Sequence, residues 1–166
     1  MKGMRHNATG RSETRHRRNP RAQIKGQFIP RLVEMITSPG YKVTSLAARR
    51  VMDRLEIEHA RHAGEANGRL VVSYDQFVAH GLHRHAIGPA IRELVALGFV
   101  RITEQGSAGN SEFRRASSYR LTYLAAPDSD ATHEWRRALT DEQAKAIAEA
   151  ARAEMAAPVR RRSAAA

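Results

Sequence analysis

The segment 73–123 constrains the fold of this chain more than any other part of the sequence. It opens with a capping box, in which the Ser73 hydroxyl accepts the amide of Gln76 and the Gln76 side chain returns to the Ser73 amide. A short helix therefore starts at this point. Phe77 and Val78 are its predicted buried residues.

A turn and a second helix follow directly. Gly81 suits a left-handed position that closes the first helix, and Leu82 anchors the turn. From about His83 to Leu97, apolar residues recur on one helical stripe, and Gly98 supplies the stop signal. The stripe consists of Ile87, Ile91, Leu94 and Val95.

The other face and the first turn of this second helix carry basic side chains, together with Gly and Pro, which cover little of the helix surface. They carry Arg84, His85, Gly88, Pro89, Arg92 and Glu93. Pro89 is unfavourable inside a helix unless it falls in the first turn. A start later than His83 would leave Arg84 and His85 in the turn and make Arg92 the better candidate for contacting a ligand.

Two β-strands follow the second helix. Residues 99–103 are a β-branched run, and residues 118–123 alternate so that one face carries Tyr119, Leu121 and Tyr123. The two runs predict a hairpin. Its connection, Glu104 to Ala116, is too long for a tight turn and predicts a basic loop that projects from the hairpin.

A long helix is predicted upstream, from Thr44 to about His62, with Thr44 or Ser45 as its cap. Its apolar stripe consists of Ala48, Val51, Met52 and Leu55. Residues 64–68 break the chain, and Leu70 to Val72 form a short apolar run that can pair with the hairpin. The predicted order is helix, strand, helix, helix, strand, strand.

In this order the chain resembles the winged helix-turn-helix superfamily of DNA-binding proteins. The resemblance lies in SYDQFVAHGLHRHAIGPAIRELVALGFVRIT and SSYRLTY, and it is closest to small bacterial winged-helix regulators and to the winged-helix domains of plasmid replication initiators. One departure is Phe77, which stands where compact helix-turn-helix proteins keep a small residue. The fold class is therefore expected to be α+β, a three-helix core with a short strand and a β-hairpin wing.

The resemblance implies double-stranded DNA as the partner. The helix that begins near Arg84 would enter the major groove, and the loop around Arg114 and Arg115 would lie on the backbone or in the minor groove. The candidate DNA-contacting residues are, on the recognition helix, Arg84, His85, Gly88, Pro89 and Arg92 and, on the wing and strands, Arg101, Arg114, Arg115 and Arg120.

Charge agrees with a nucleic-acid partner, since the net charge is +11. Residues 1–26 hold eight basic and one acidic side chain, residues 27–126 thirteen and nine, and residues 127–166 seven of each. The first segment has no apolar periodicity, so we expect a disordered basic tail that tracks phosphates. Its candidate contacts are Arg15, Arg17, Arg18 and Arg21.

The C-terminal region, 127–166, is predicted to hold a linker, an Ala-rich helix and a basic end. A second capping box at Thr140 to Gln143 starts a helix that runs to about Met155. One face carries Ala144, Ile147, Ala148, Ala151 and Met155. This face either docks on the winged-helix domain, 27–126, or pairs with a second copy as a homodimer.

Several other classes of protein are disfavoured. Cysteine is absent, which suits a reducing cytoplasm, and no apolar run approaches the ~20 residues of a membrane span. His80, His83 and His85 match no established zinc spacing, so no metal is expected. No phosphate loop, nucleophile elbow or paired acidic motif appears, and we expect neither catalysis nor a cofactor.

Three functions remain open after these exclusions. The first is sequence-specific DNA binding by a transcriptional regulator or by a replication or transfer accessory protein of a mobile element. The second is a basic RNA-binding protein, for which stacking aromatic residues on an exposed sheet are expected. The third is a protein-interaction module that uses the winged fold as a scaffold.

Overall fold

A computed structural model describes residues 26–107 and 115–154. Over these residues the chain is an α+β fold in which helices pack on a small antiparallel sheet, and the predicted order of elements between residues 46 and 121 is confirmed. Two short helices precede that unit, and a 3-10 helix and a 13-residue helix follow it. The elements in chain order are α1 (Val33–Ile36), α2 (Pro39–Val43), α3 (Leu46–Arg61), β1 (Leu70–Val71), α4 (Tyr74–Ala79), α5 (Arg84–Ala96), β2 (Val100–Glu104), β3 (Ser118–Leu121), a 3-10 helix (Glu134–Arg137) and α6 (Asp141–Ala153).

The sheet has the strand order β1-β3-β2, with both pairs antiparallel. Tyr119 on the central strand lies opposite Leu70 on one side and Ile102 on the other. The predicted hairpin and the predicted pairing of the run at residues 70–72 are therefore confirmed. β3 ends at Leu121, and the amide of Thr122 continues the same register by donating to the carbonyl of Phe99 at 3.1 Å.

The core lies between α3, α5 and the inner face of the sheet. The Ser45 hydroxyl caps α3 by accepting the amide of Ala48, as predicted. All four residues of the predicted α3 stripe are fully buried, as are Ile87 and Leu94 on α5. Burial of these apolar faces supplies the main favourable free energy of the fold.

The predicted burial is wrong for three residues: two that were expected in the core are exposed, and one that was expected at the surface is buried. Val78 is 41% exposed, because α4 has only six residues and buries only Phe77. Val95 is 38% exposed, because the buried arc of α5 is centred on Leu94 and extends toward Ala90. Glu93 falls inside that arc and is buried, although the sequence placed it on the outward face.

The Ala-rich helix docks on its own domain, which confirms the first of the two arrangements expected for it. Ala144, Ala148 and Ala151 are buried where α6 packs on α2 and α5. Trp135 of the 3-10 helix and Ala148 belong to the same hydrophobic cluster as the core of α3 and α5. Met155 lies outside the described residues.

An ionic cluster attaches the segment before α1 to α3. Arg31 donates to both carboxylate oxygens of Glu56, pairs with Asp53, and donates to the hydroxyl of Tyr41 at 3.2 Å. The Tyr123 hydroxyl donates to the same Glu56 carboxylate at 2.6 Å. Burial raises the pKa of Tyr123 well above its ordinary value, and the neighbouring Glu56 charge raises it further. No periodicity in the sequence indicated this cluster.

Candidate nucleic-acid interface

The connection between α4 and α5 is a tight, well-anchored turn. The capping box of Ser73 and Gln76 starts α4 with both of its hydrogen bonds present, as predicted. Gly81 has a φ of 89°, a left-handed conformation that side chains rarely adopt. Leu82 is buried, and its amide donates to the carbonyl of Phe77 at 3.2 Å. The turn therefore holds α4 and α5 at a fixed angle.

The start of α5 lacks a side-chain cap, as does that of the four-residue α1, and differs in this from the other α-helices. His83 is its N-cap, no side chain caps its first amides, and its first turn has no acidic residue. In contrast, α2, α3, α4 and α6 each begin with a Ser or Thr hydroxyl that accepts a backbone amide. Uncapped amides leave a partial positive charge at the N-terminus of α5, which attracts anions.

Cationic and imidazole side chains surround this helix start. Arg84 forms an ion pair with Asp75 of α4, and the two side chains are 60% and 80% exposed. Arg50 of α3 donates from Nη1 to the carbonyl of Gly81 at 2.8 Å. The rings of His83 and His85 stack with their centroids 5.6 Å apart. An exposed ion pair contributes about 0–1 kcal/mol, so Arg84 can exchange Asp75 for another anion at little cost.

The outward face of α5 carries His85, Gly88, Pro89 and Arg92, each exposed or half-buried. These are the residues that the sequence assigned to the recognition helix. The alternative of a later helix start is wrong, because α5 begins at Arg84 and Pro89 lies inside it. The missing amide of Pro89 leaves the carbonyl of His85 without its usual helical partner.

Arg92 lies back along the helix over Gly88. Its Nη1 is 3.7 Å, and the Tyr74 hydroxyl 3.4 Å, from the position that a Cβ on Gly88 would occupy. The Nε and Nη2 atoms of Arg92 are buried and have no hydrogen-bond partner. These atoms form the edge of the guanidinium that binds two acceptors side by side, as in a phosphate or the O6 and N7 of guanine.

Two of the assigned arginines lie elsewhere. Arg101 and Arg120 are opposite each other on β2 and β3, and they face away from Val100 and Ile102, which pack toward the helices. Like charges in this position repel. Here Arg101 pairs with Glu134, while Arg120 donates to Ser129 and to the carbonyl of Asp130. The structure does not bring these two arginines to the outward face of α5.

The base of the predicted wing is described, and its tip is not. Arg115 is exposed and pairs with Glu104 across the base of the hairpin, where a bridge joins it to Ser107. A side chain at Gly106 would collide with the backbone at Arg115. Arg114 lies outside the described residues, as do the tail residues Arg15, Arg17, Arg18 and Arg21.

A buried carboxylate holds α5 in place from behind. Glu93 accepts the amide of Ser45 at 2.7 Å and the guanidinium of Arg152 at 2.8 Å, and Arg152 also donates to the carbonyl of Val43 at 2.9 Å. No sequence pattern indicated this contact, the bond from Arg50 to Gly81, or the position of the Tyr74 hydroxyl near Gly88. Glu93 could have been found, since a helical projection places it in the same arc as Ala90. Arg50 and Tyr74 carry no such signal.

Within residues 26–107 and 115–154, no group of three or more His, Asp or Glu side chains is close enough to hold a metal ion. In the same ranges, no helix combines the length and the apolar character that crossing a membrane requires. No family model matches this chain, and no similar protein was found among curated proteins or solved structures.

Proposed function

We propose that the protein binds double-stranded DNA in a sequence-specific manner through α4, the turn and α5, as a winged helix-turn-helix protein. It acts in the cytoplasm as a bacterial transcriptional regulator or as a replication or transfer accessory protein of a plasmid or other mobile element. In this proposal α5 enters the major groove and the connection of β2 and β3 is the wing.

The proposal rests mainly on the residues of the outward face of α5. At its start, uncapped amides lie near Arg50 and two stacked imidazoles, a setting that favours a backbone phosphate. Further along, the Nε and Nη2 atoms of Arg92 have no described partner, and the side chain must turn away from Gly88 to expose them to a base or a phosphate.

The pairing of charges supports the same face. Arg101, Arg115 and Arg137 all form ion pairs with carboxylates, on the outer sheet face, at the hairpin base or on the 3-10 helix. Arg50 and Arg92 form no ion pair with any described residue. Arg50 and Arg92 therefore bring positive charge near α5 that no described carboxylate pairs with, although Arg49, Arg69, Arg120 and Lys145 are likewise without an ion pair.

The RNA-binding alternative finds less support. Recognition of single-stranded RNA uses exposed aromatic rings, often on a sheet. Tyr119, Tyr123, Phe99 and Trp135 are all buried, and the exposed rings of Phe28 and Tyr74 lie outside the sheet. The outer face of the described sheet carries Arg101, Thr103 and Arg120. A protein-interaction module remains the alternative that a lack of duplex affinity would favour.

Fluorescence anisotropy with a labelled duplex of random sequence tests the proposal. We expect the affinity of the full-length protein to fall with salt, with a log–log slope of about 0.9 for each neutralised phosphate. Arg50→Gln should weaken binding, whereas the matched Arg137→Gln, which removes one exposed charge from the 3-10 helix, should not. No duplex affinity at low salt would refute the proposal and favour the protein-interaction module.

A further inference from the structure

A small basic cleft lies between α3 and α4, behind the turn that leads into α5. Its volume is about 220 Å³. The lining residues from α3 are Arg54, Ile57 and Arg61, and those from α4 and its C-cap are Gln76, Ala79 and His80. None of these six residues is acidic. The cleft is distinct from the outward face of α5.

Arg54 is the buried member of the cleft, with 5% of its surface exposed. Its Nη2 donates to Glu58 at 2.8 Å, but its Nη1 is buried and has no hydrogen-bond partner. Buried polar groups in proteins are nearly always paired, and a charged donor is especially unfavourable when it is not. Arg54 therefore has a donor available for an acceptor that the described residues do not supply.

Arg61 and His80 add charge and donors at the mouth of the cleft. The Nη1 of Arg61 is 3.9 Å from Glu58, too far for a hydrogen bond, and the side chain is exposed, so it can turn toward the cleft. Glu58 is the carboxylate nearest to these groups, and it is already engaged by Arg54 and by His62. The positive charge of the cleft therefore exceeds the one carboxylate beside it.

We infer that this cleft binds a phosphate group. Its volume is below the roughly 300–1,000 Å³ of sites for drug-sized ligands, which suits a small anion. Guanidinium and imidazole groups whose positive charge exceeds the negative charge of the neighbouring carboxylate are suitable partners of phosphate oxygens. The phosphate belongs either to a free small molecule or to the backbone of bound DNA. The second source is considered because His80 immediately precedes the turn at Gly81, which leads into α5.

Titration of the full-length protein with inorganic phosphate at constant ionic strength, balanced with sodium chloride, tests the site without DNA. Amide NMR signals of residues 79–81 should shift and saturate with phosphate but not with chloride. Ala79→Glu places a carboxylate in the cleft at an exposed position, and we expect it to weaken phosphate binding at least about tenfold. Val78→Glu makes the same change at the neighbouring exposed position outside the cleft and should leave binding unchanged.

The inference fails if phosphate shifts these signals no more than chloride does, or if the two Glu variants weaken binding equally. Repeating the titration with saturating duplex distinguishes the two sources of phosphate. Competition between duplex and phosphate assigns the site to the DNA backbone, whereas simultaneous binding assigns it to a free small molecule. A protein that binds phosphate but no duplex would retain this inference and lose the proposed function.

Discussion

Glu93 on α5 and Arg152 on α6 form an ion pair in which the carboxylate is buried and the guanidinium is half exposed. The hydrogen bond with Glu93 raises the pKa of Arg152 above its ordinary value. The same carboxylate accepts a hydrogen bond from the backbone amide of Ser45, the N-cap residue of α3. The C-terminal helix therefore fixes the position of the helix that we propose to read DNA.

Arg152→Met should lower the free energy of unfolding by about 1–3 kcal/mol, because it leaves the buried Glu93 carboxylate with a single strong donor. Chemical denaturation measures the change. Lys145→Met is the matched control, since it removes an exposed charge from the same helix and should change stability by less than about 0.5 kcal/mol. Equal effects of the two variants would contradict the role given to the pair.

Pro89→Ala should raise the free energy of unfolding by about 1–3 kcal/mol, because it restores a helical hydrogen bond to the His85 carbonyl and removes a ring clash. Thermal denaturation provides the measurement. Ala86→Ser is a comparison on the same helix that restores no such bond. If Pro89→Ala is neutral or destabilising, the proline is already accommodated by the local backbone.

Arg92→Ala and Arg84→Ala should each reduce affinity for a preferred site by about 1–3 kcal/mol and relax its specificity, if these side chains contact bases. Anisotropy with preferred and random duplexes measures both quantities. Arg101→Ala is the control, because Arg101 lies on the other face of the sheet and pairs with Glu134. Equal losses on both duplexes would make Arg84 and Arg92 phosphate contacts instead.

Deletion of residues 1–26 should weaken binding to all duplexes alike and flatten the salt dependence, because it removes eight basic side chains and one acidic one. The slope of affinity against salt is the quantity to compare with that of the full chain. An unchanged slope would mean that the tail makes no phosphate contacts.

The stability of the fold depends on pH in the acid range through the carboxyl group of Glu58. Burial raises the pKa of Glu58, but hydrogen bonds and charge from Arg54 and His62 lower it more, so that it lies below its ordinary value of 4.5. A carboxyl group with a lowered folded pKa stabilises the fold above its unfolded pKa and loses that contribution as pH falls through the folded pKa.

Glu58→Gln should therefore lower the free energy of unfolding at neutral pH, and its difference from wild type should shrink below pH 4.5. Urea denaturation at several pH values measures this trend. Glu149→Gln, which changes an exposed carboxylate on α6, should show no such trend. If Glu58→Gln lowers the free energy of unfolding by the same amount at every pH, the carboxylate charge does not stabilise the fold.

The elements that sequence could predict are those with local signals. The caps at Ser45, Ser73 and Thr140 and the left-handed Gly81 each depend on a few adjacent residues, and all are present. The stripes of α3 and α5 follow from helical periodicity, which is also local. The predicted burial of Val95 was wrong, because periodicity indicates which face of a helix is buried but not where the edge of that face lies.

What sequence could not predict depends on contacts between distant segments. Arg31 meets Glu56 and Arg152 meets Glu93 only after the chain has folded, and neither pair has a spacing that a helix or strand imposes. The same holds for the arginines of the sheet. Arg101 and Arg120 looked like free cations in the sequence, and the segment after β3 supplies the acceptors that bind them.

Selection of bound duplexes from a random pool, with the full-length protein at near-physiological salt, tests the central claim most directly, because nonspecific binding is then suppressed. The account predicts enrichment of one motif by the wild-type protein and loss of preference at one or more positions of that motif with Arg92→Ala. No enrichment by the wild type, despite salt-sensitive retention of duplex, would contradict sequence-specific recognition through α5.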